Sequence, residues 1–367
     1  MTYLNAAGHG LPDSAVRQRM IAYLQREEEI GVTAAEAEAM GELSTLRTRL
    51  AGLVGVTPDE VAFLDWGTLA WNAAVLSVPL SGRRVLVAPG EWSSNVALLM
   101  RMGAHLQIMP TDGDGRLDVP AIGGLIDDDL AAICAPMVCS LTGERYPVEA
   151  IGALPRPVQC TYVVDISQAI GQIPVSLPEI GADIAAAPCR KWLRGPKGTG
   201  MLAVRRPALE RLAPSRVADD GRLSWDETQP QDIDDATRFE KLGFNVALRL
   251  GLCAALDCHM ADVPGLQSRL ADLAAHVRAR AERLGIELAG VEIARSTITT
   301  LRGPLDTISE MAIAARDAGF TIKQPTPDCE PLRAPETVTG GFLRIAPHVY
   351  NSEADIDALF DVFTGAA

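Results

Sequence analysis

The sequence predicts an α/β fold in which a mostly parallel central sheet is followed by a smaller α+β C-terminal domain. Short apolar runs alternate with helical patterns between residues 61 and 204, as in sheets whose strands are joined by helices. The run LAAICA at 130 shows no in-and-out alternation, as expected for a strand that helices cover on both faces. After about residue 245 the pattern changes to long helices and isolated strands.

The spacing of apolar residues predicts the elements in order. The central strands are VAFL at 61, RVLVA at 84, HLQIM at 105, LAAICA at 130, TYVVD at 161, ADIAAA at 182 and GMLAV at 200. Two helical stretches follow, NVALRLGLCAALDCHM and VPGLQSRLADLAAHVRARAERLG, because Leu, Ala and Val recur in them at steps of three and four residues. Strands are then predicted near STITTLRG, FTIKQ and FLRIAP, with the helix LDTISEMAIAARDAG between the first two.

The length favours two unequal lobes, because 367 residues exceed what one hydrophobic core usually supports. We predict a large domain over residues 15–245 and a small domain made of residues 1–14 and 246–367. The acidic stretch at 219–235 is predicted to be an exposed loop between the lobes.

Composition argues against several classes of protein. A formal net charge of −14 repels phosphate backbones, so nucleic acid is not expected as a partner. The apolar runs are shorter than the roughly 20 residues of a membrane helix, and the N-terminus lacks the features of a secretory signal. We therefore expect a cytoplasmic protein with no membrane association. Seven cysteines without a C-x-x-C pair and five scattered histidines predict neither a disulfide framework nor a metal site.

Lys191 is the first candidate for chemistry. It lies between Arg190 and Trp192 and is followed by the glycine-rich stretch GPKGTG. Such a lysine either binds phosphate as a point charge or forms an imine as a nucleophile. The glycines follow Lys191 instead of preceding it, so the phosphate-loop pattern G-x-x-x-x-G-K-[ST] is absent.

An imine-forming lysine that works with an aromatic cofactor needs further parts. Asp165 ends the predicted strand TYVVD, where α/β proteins bind ligands, and Gln168 follows three residues later. Trp92 in GEWSSN follows another strand, and Gly67 and Thr68 open a helical pattern where free amides can receive a phosphate. Each feature alone also fits a structural role, since a strand-end aspartate often caps a helix and a tryptophan often lies in the core.

Their order along the chain resembles the class V branch of the fold type I pyridoxal-phosphate enzymes. The blocks VVDISQAIGQIPV, CRKWLRGPKGTGMLAV, RFEKLGFNVALRLGL and LRIAPHVYNSEADID are similar to successive signatures of that family, and the likeness runs from YLNAAGHGLP to the C-terminal helix. The resemblance implies the fold type I transferase fold, pyridoxal 5′-phosphate as cofactor and a small amino acid as substrate. It also implies a homodimer in which RFEKLGFN contributes to the neighbour's site.

The resemblance implies roles for the residues around the cofactor ring. Lys191 would hold the cofactor as an imine and, once freed by substrate, act as the base. Asp165 would pair with the pyridine nitrogen, and Gln168 with the phenolic oxygen. Trp92 occupies the stacking position, where many desulfurases have histidine.

It implies further roles at the two ends of the ligand. Gly67, Thr68 and Arg190 match phosphate-side positions. Arg344 in FLRIAPHVYN matches the arginine that binds the substrate's α-carboxylate, and the segment from Asn5 to His9 would line the entrance. The chain departs from relatives at residues 187–189, which lack Ser or Thr, and at Gly243, where desulfurases carry threonine.

A narrower likeness concerns the reaction. The stretches REEEIGVTAAEAEAMGELSTLRTRLAGLVGV, GEWSSN, DGDGRLDV and RKWLRGPKGTGMLAVRRPALERL resemble the carbon–sulfur lyases of ergothioneine biosynthesis. This likeness implies β-elimination from a cysteine-derived conjugate, with a thiol or sulfenate, pyruvate and ammonia as products. A cysteine desulfurase or selenocysteine lyase, or a class V epimerase or aminotransferase, remains an alternative. A catalytically silent binding protein is disfavoured because the lysine, aspartate, glutamine and arginine are all present.

Cys329 bears on the choice between lyase and desulfurase. It lies 15 residues before Arg344, the separation between a persulfide cysteine and the carboxylate-binding arginine in one desulfurase group. The surrounding PTPDCEPLRAPET lacks the R-x-G-x-x-C pattern. A persulfide role is therefore the less favoured hypothesis.

Overall fold

The structure is a computed structural model, and it describes residues 1–214, 223–226, 229–241, 243–290 and 296–365. The strands of these residues are β1 (Thr2–Tyr3), β2 (Val61–Leu64), β3 (Arg84–Val87), β4 (His105–Ile108), β5 (Leu130–Pro136), β6 (Thr161–Asp165), β7 (Ile184–Pro188), β8 (Gly200–Val204), β9 (Leu223–Asp226), β10 (Gln229–Asp232), β11 (Glu287–Leu288), β12 (Thr299–Gly303), β13 (Phe320–Thr321) and β14 (Gly341–Ile345). The helices are α1 (Ser14–Ile30), α2 (Val32–Val54), α3 (Gly67–Val75), α4 (Ser93–Arg101), α5 (Val119–Gly123), α6 (Val148–Gly152), α7 (Leu177–Ile180), α8 (Arg206–Leu209), α9 (Val246–Met260), α10 (Val263–Arg283), α11 (Leu305–Asp317) and α12 (Glu353–Thr364).

The central sheet has seven strands in the order β2-β8-β7-β6-β5-β3-β4. Neighbouring strands from β7 to β4 run parallel, whereas β8 is antiparallel to both β7 and β2. Every strand of this sheet corresponds to a predicted apolar run, so the predicted mostly parallel α/β sheet is confirmed. The parallel strands bring the segments after β3, β5, β6 and β7 to one edge, where α/β folds bind ligands.

Both faces of the central sheet are buried, which explains the uninterrupted apolar runs. Tyr162 and Val164 of β6 pack into one cluster with residues of α2 and α9. Val163, between them, packs into a second cluster with residues of α3 and α4. Because successive side chains of a strand point to opposite faces, a strand covered on both sides needs apolar residues at every position.

A smaller antiparallel sheet, β11-β12-β14, forms the C-terminal α+β part. Its core contains residues of α10, α11 and α12. Leu4 is fully buried in the same core, and β1 pairs in parallel with β13. The first residues of the chain are therefore packed against its last third.

The N-terminal helices α1 and α2 pack against α9 through Tyr23, Ala39, Leu43 and Leu250. Helix α9 also buries Leu252 and other residues in the core beside the central sheet, although it follows the predicted domain boundary. The division at residues 245 and 246 stays a prediction.

Part of the acidic stretch predicted to be a loop forms the antiparallel pair β9 and β10. Residues 215–222 and 227–228 of this region lie outside the described residues. Among the helices that the structure describes, none is long and apolar enough to cross a membrane.

Candidate active site

A cavity of about 810 Å³ lies at the edge of the central sheet where the parallel strands end. It is within the size range of sites for small molecules and cofactors. The side chains or backbone of all the predicted site residues line it: Asn5, His9, Gly67, Thr68, Trp92, Asp165, Gln168, Arg190, Lys191 and Arg344. The fold thus brings together residues from the two ends and the middle of the chain.

Lys191 lies three residues after the end of β7, in a loop that the N-terminal segment covers. The amide of Gly10 donates a hydrogen bond of 2.9 Å to the carbonyl of Arg190, and the guanidinium of Arg190 donates to the carbonyl of Gly8. A Cβ atom at position 10 would clash with the carbonyl oxygen of Lys191. The close approach therefore requires glycine at this position.

The environment of Lys191 favours a neutral amine. Desolvation, opposed by the charge of Asp165 and reinforced by the charges of Arg190 and Arg344, lowers the pKa of Lys191 to about 7. A substantial fraction of the amine is therefore unprotonated at neutral pH. An unprotonated amine acts as a nucleophile or as a base, and a protonated one does neither.

Asp165 is held by two hydrogen bonds at the end of β6. Its Oδ1 accepts from the Ser167 amide at 2.7 Å, and its Oδ2 accepts from Asn95 Nδ2 at 3.1 Å. Both donors favour the ionised carboxylate. Asn95 lies on the first turn of α4 within GEWSSN, a motif in which only Trp92 is a predicted site residue.

Glu91 lies behind Asp165 and is completely buried. Its Oε1 accepts from the Trp92 amide and from Asn95 Nδ2, each at 2.9 Å. Burial, followed by the nearby charge of Asp165, raises the pKa of Glu91 to about 8. Glu91 therefore keeps its proton at neutral pH, and Asp165 provides the negative charge at this wall of the cavity.

Gln168 lies in a hydrogen-bond network that uses all of its side-chain polar atoms. Its Nε2 donates to the Ala7 carbonyl at 3.0 Å and to Ser140 Oγ at 3.1 Å. Its Oε1 accepts from Trp192 Nε1 at 2.9 Å. The indole of Trp192 stacks on His348, with ring centroids 5.9 Å apart. The amide plane of Gln168 is therefore fixed by residues that lie on four separate segments.

Arg344, on β14, is buried and points toward the same network. Its Nη1 donates to the Ser140 carbonyl at 2.8 Å and to Ser140 Oγ at 2.9 Å, and its Nη2 donates to Asn5 Oδ1 at 3.4 Å. Its Nε has no hydrogen-bond partner among the described residues. Burial lowers the pKa of Arg344 to about 10, so the guanidinium stays charged at neutral pH and suits a bound anion.

The opposite end of the cavity contains Gly67 and Thr68 at the first turn of α3, together with Arg190. The first amides of a helix have no intrahelical partners and attract anions. Lys197 of GPKGTG also lines the cavity, although its sequence context predicts no role for it. Burial, followed by the charges of Arg190 and Lys197, lowers the pKa of His9.

Trp92 is the residue that precedes α4, and its side chain lines the cavity with 39% of its surface exposed. In contrast, Cys329 does not line the cavity. It packs against Leu141, Ala289 and Phe342. Burial, followed by the charge of Glu330, raises the pKa of the Cys329 thiol to about 12. A thiol in this environment is a poor nucleophile at neutral pH.

Comparison with known proteins places the whole chain in one family. The sequence pattern of the aminotransferase class-V family matches residues 2–359. The chain is 30% identical over 373 residues to a probable hercynylcysteine sulfoxide lyase of Mycobacterium tuberculosis, covering 99% of this chain and 90% of the relative. It is 26% identical to a probable cysteine desulfurase of Methanothermobacter thermautotrophicus, covering 88% of this chain and 82% of the relative.

The fold is also similar to that of solved structures. The apo structure of a cysteine desulfurase from Thermococcus onnurineus superposes with a TM-score of 0.88 at 19% identity, covering 99% of this chain and 94% of the other. This likeness confirms the predicted fold type I architecture. The chain therefore belongs to the aminotransferase class-V family and is an enzyme whose cofactor is pyridoxal phosphate.

Proposed function

We propose that the chain is a carbon–sulfur β-lyase that acts on a cysteine-derived conjugate and releases pyruvate, ammonia and a thiol or sulfenate. A lyase is favoured over a desulfurase because none of the described residues that line the cavity is a cysteine. A desulfurase that accepts sulfur on its own cysteine needs such a thiol near the substrate. The likeness over 99% of this chain to a probable hercynylcysteine sulfoxide lyase supports the same choice.

The residues present fit pyridoxal phosphate. Lys191 offers an amine of low pKa, Asp165 offers a fixed carboxylate, and the first turn of α3 offers amides beside Arg190 and Lys197. When bound, pyridoxal phosphate supplies an electron sink that stabilises negative charge at the α-carbon of an amino acid. We propose that Lys191 holds the cofactor covalently and that Gly67, Thr68 and Arg190 bind its phosphate, with Trp92 against its ring.

Asp165 and Lys191 carry the proton chemistry in this proposal. The Asp165 carboxylate would keep a bound cofactor's pyridine nitrogen protonated, because the amide of Ser167 and the side chain of Asn95 stabilise the ionised form of Asp165. The Nζ atom of Lys191, once free, removes the proton from the substrate's α-carbon. The pKa of about 7 keeps this atom able to accept a proton at neutral pH.

Arg344 binds the α-carboxylate of the substrate through Nε and Nη2, since Nη1 is already bound to Ser140. Asn5 and His9 line the entrance. Gln168 has both amide hydrogens in use. Gln168 would bind the cofactor's phenolic oxygen through one of these hydrogens if its contact with Ser140 opens.

The elimination is balanced without an oxidant or reductant. The α-proton passes to Lys191, the electron pair of the Cα–H bond forms the Cα=Cβ bond, and the pair of the Cβ–S bond leaves with sulfur. Hydrolysis of the released enamine then gives pyruvate and ammonia. The leaving group departs as a thiolate from a thioether or as a sulfenate from a sulfoxide.

The experiment that tests the function measures products from a panel of S-substituted cysteines and their sulfoxides. Pyruvate and ammonia in equal amounts are expected from a lyase. Alanine with sulfide, from cysteine, would instead identify a desulfurase. Cys329→Ala should leave pyruvate release intact, and complete loss of turnover in this variant would contradict the proposal.

A cysteine desulfurase is the second candidate, because Cys329 lies close enough to Arg344 for that charge to lower the pKa of its thiol. The relative of Methanothermobacter thermautotrophicus is a probable cysteine desulfurase. We further propose a homodimer in which the segment around Gly243 contributes to the neighbour's cavity. Gly243 has a φ of 70°, and a Cβ there would meet nothing within 4 Å, so this segment has room for a partner.

A further inference from the structure

Arg194 has a backbone conformation that residues with a side chain disfavour. Its φ angle is 57°, and among the residues that the structure describes it is the one non-glycine residue with a positive φ. This left-handed conformation brings the Cβ atom too close to a carbonyl oxygen, which costs free energy. Such a conformation persists only where surrounding contacts enforce it, and residues of this kind cluster at functional sites. The contacts of Arg194 therefore indicate what the conformation serves.

The backbone of Arg194 closes a turn that begins at Lys191. Its amide donates a hydrogen bond of 3.0 Å to the carbonyl of Lys191, and the amide of Gly195 donates to the Cys189 carbonyl at 2.9 Å. These two bonds fix the course of the chain on both sides of Lys191. A change in the conformation of Arg194 would therefore move the backbone to which the lysine side chain is attached.

The side chain of Arg194 holds this turn against the N-terminal segment, residues 8–13. Its Nε donates to the carbonyl of Leu11 at 2.7 Å, and its Nη2 lies 3.6 Å from Asp13 Oδ2. Gly10 packs closely against both parts of the turn. A Cβ atom at Gly10 would lie 2.2 Å from the Lys191 carbonyl oxygen and 3.1 Å from Arg194 Cγ. The N-terminal segment is thus in contact with the Lys191 backbone and the Arg194 side chain together.

The guanidinium of Arg194 also contacts the C-terminal part of the chain. Its Cζ lies 5.4 Å from the centroid of the Tyr350 ring, as in cation–π pairs. The Tyr350 ring stacks on His348, and His348 stacks on Trp192, with centroids 5.3 and 5.9 Å apart. Trp192 directly follows Lys191 in the sequence. Arg194 therefore connects the beginning, the middle and the end of the chain around one lysine.

These contacts suit positioning better than stability. The pair of Arg194 and Asp13 is partly exposed, with 19% and 41% of the side-chain surfaces accessible, and such pairs contribute little to folding. The left-handed backbone opposes folding. In contrast, Lys191 depends on its burial, because desolvation is the largest cause of its low pKa of about 7. Gly8 and His9 of the N-terminal segment line the same cavity as Lys191, so holding this segment in place limits the access of water to the amine.

We propose that Arg194 is a positioning residue for Lys191, because its side chain holds the N-terminal segment over the turn that carries the lysine. This closure keeps the amine oriented and shielded from water. The catalytic part of the role rests on the proposed function of Lys191, whereas the closure itself stands on contacts within the chain.

The first test measures the closure. Arg194→Gly removes the side chain and leaves a residue that adopts a φ of 57° without strain. In hydrogen exchange of the holoenzyme, the amides of residues 8–11 should exchange about 10-fold faster in this variant than in wild type. Arg17→Met is the matched control, because Arg17 is an exposed arginine of α1 that donates to the Pro12 carbonyl of the same segment at 3.2 Å. Equal exchange in wild type and Arg194→Gly, or an equal increase in both variants, would overturn the proposal.

The second test measures the amine and does not depend on turnover. The rate at which the full-length apoprotein acquires the visible absorbance of bound pyridoxal phosphate reports the unprotonated fraction of Lys191, so it should rise with pH through about 7 in wild type. Loss of the cover hydrates Lys191 while Asp165, Arg190 and Arg344 keep their charges. The midpoint should therefore move up by about one pH unit in Arg194→Gly and by less in Arg194→Lys, which keeps a charge and a donor. An unchanged midpoint in Arg194→Gly would refute the positioning role.

The kinetic test separates this role from the proposed reaction. With a conjugate that yields pyruvate, kcat of Arg194→Gly should fall about 10-fold while KM changes by less than about 2-fold, because the substrate-binding residues are unaltered. The Tm should stay within about 3 °C of wild type, so the loss would not reflect unfolding. An unchanged kcat would show that the closure serves the structure alone and would contradict the proposal. If no conjugate yields pyruvate but the midpoint of cofactor capture still moves, the proposed reaction fails while the positioning role stands.

Discussion

Replacing Glu91 by glutamine tests the electrostatics of the site through protein stability. The side chain is completely buried, and its pKa rises from an ordinary 4.5 to about 8. In this range the folded state holds a proton that the unfolded state has lost, so the stability of the wild type falls as pH rises from about 4.5 to about 8. Glutamine has no proton to lose, so the variant does not share this fall.

The magnitude follows from the difference between the two pKa values. One pKa unit corresponds to about 1.36 kcal/mol, so a rise from 4.5 to about 8 amounts to roughly 5 kcal/mol at pH 8. Glutamine keeps the acceptor for the Trp92 amide and Asn95, so the variant should match the wild type near pH 4.5. At roughly 2 °C per kcal/mol, the Tm of the variant should exceed that of the wild type by roughly 10 °C at pH 8.

The assay is thermal unfolding of both holoproteins from pH 4.5 to 8.5, followed by circular dichroism. Glu28→Gln, at an exposed position of α1, controls for the loss of a carboxylate from the surface. A Tm difference between wild type and Glu91→Gln that stays constant across this range would refute the raised pKa. It would also remove the argument that Asp165 is the charged member of the pair.

Further predictions concern the reacting groups. Lys191→Ala should abolish the visible absorbance of the bound cofactor and its fixation by borohydride, and a variant that still fixes cofactor would contradict the covalent role. Because the free amine of Lys191 has a pKa of about 7, kcat should rise with pH through about 7, as the deprotonated base accumulates in the substrate complex; a fall with pH in that range would contradict this. Arg344→Ala should weaken substrate binding by about 2–5 kcal/mol, whereas an unchanged KM would exclude its role with the carboxylate. Ser140→Ala removes an acceptor of both Gln168 and Arg344, so KM should rise several-fold, with Ser140→Thr as the control that retains the hydroxyl.

The central sheet could be predicted because its signal is local. Most of the strands are short apolar runs bounded by polar residues. These runs are uninterrupted because helices cover both faces of the sheet. The same local reasoning predicted Lys191, Asp165 and the opening of α3 at the strand ends. It did not predict the pair β9 and β10, because LSWD and QPQD are short and stand in an acidic stretch with few apolar residues.

The residues that sequence reasoning missed owe their place to contacts between distant segments. Asn95 bonds to Asp165 across 70 positions, and Ser140 bonds to Arg344 across 204. Lys323 lines the cavity together with Arg344, to which an isolated antiparallel bridge pairs it. A single sequence does not indicate which serine, asparagine or lysine has such a distant partner. These residues can therefore be identified only from the folded chain.

The packing of the first ten residues has a consequence for how the enzyme is made. Leu4 and Ala6 exchange backbone hydrogen bonds with Thr321 and Ala346, while Ala7 accepts from Gln168. Leu4 and Ala6 are thus synthesised long before Thr321 and Ala346, the partners of their backbone groups. Assembly of a functional catalytic pocket must then be a late step of biosynthesis.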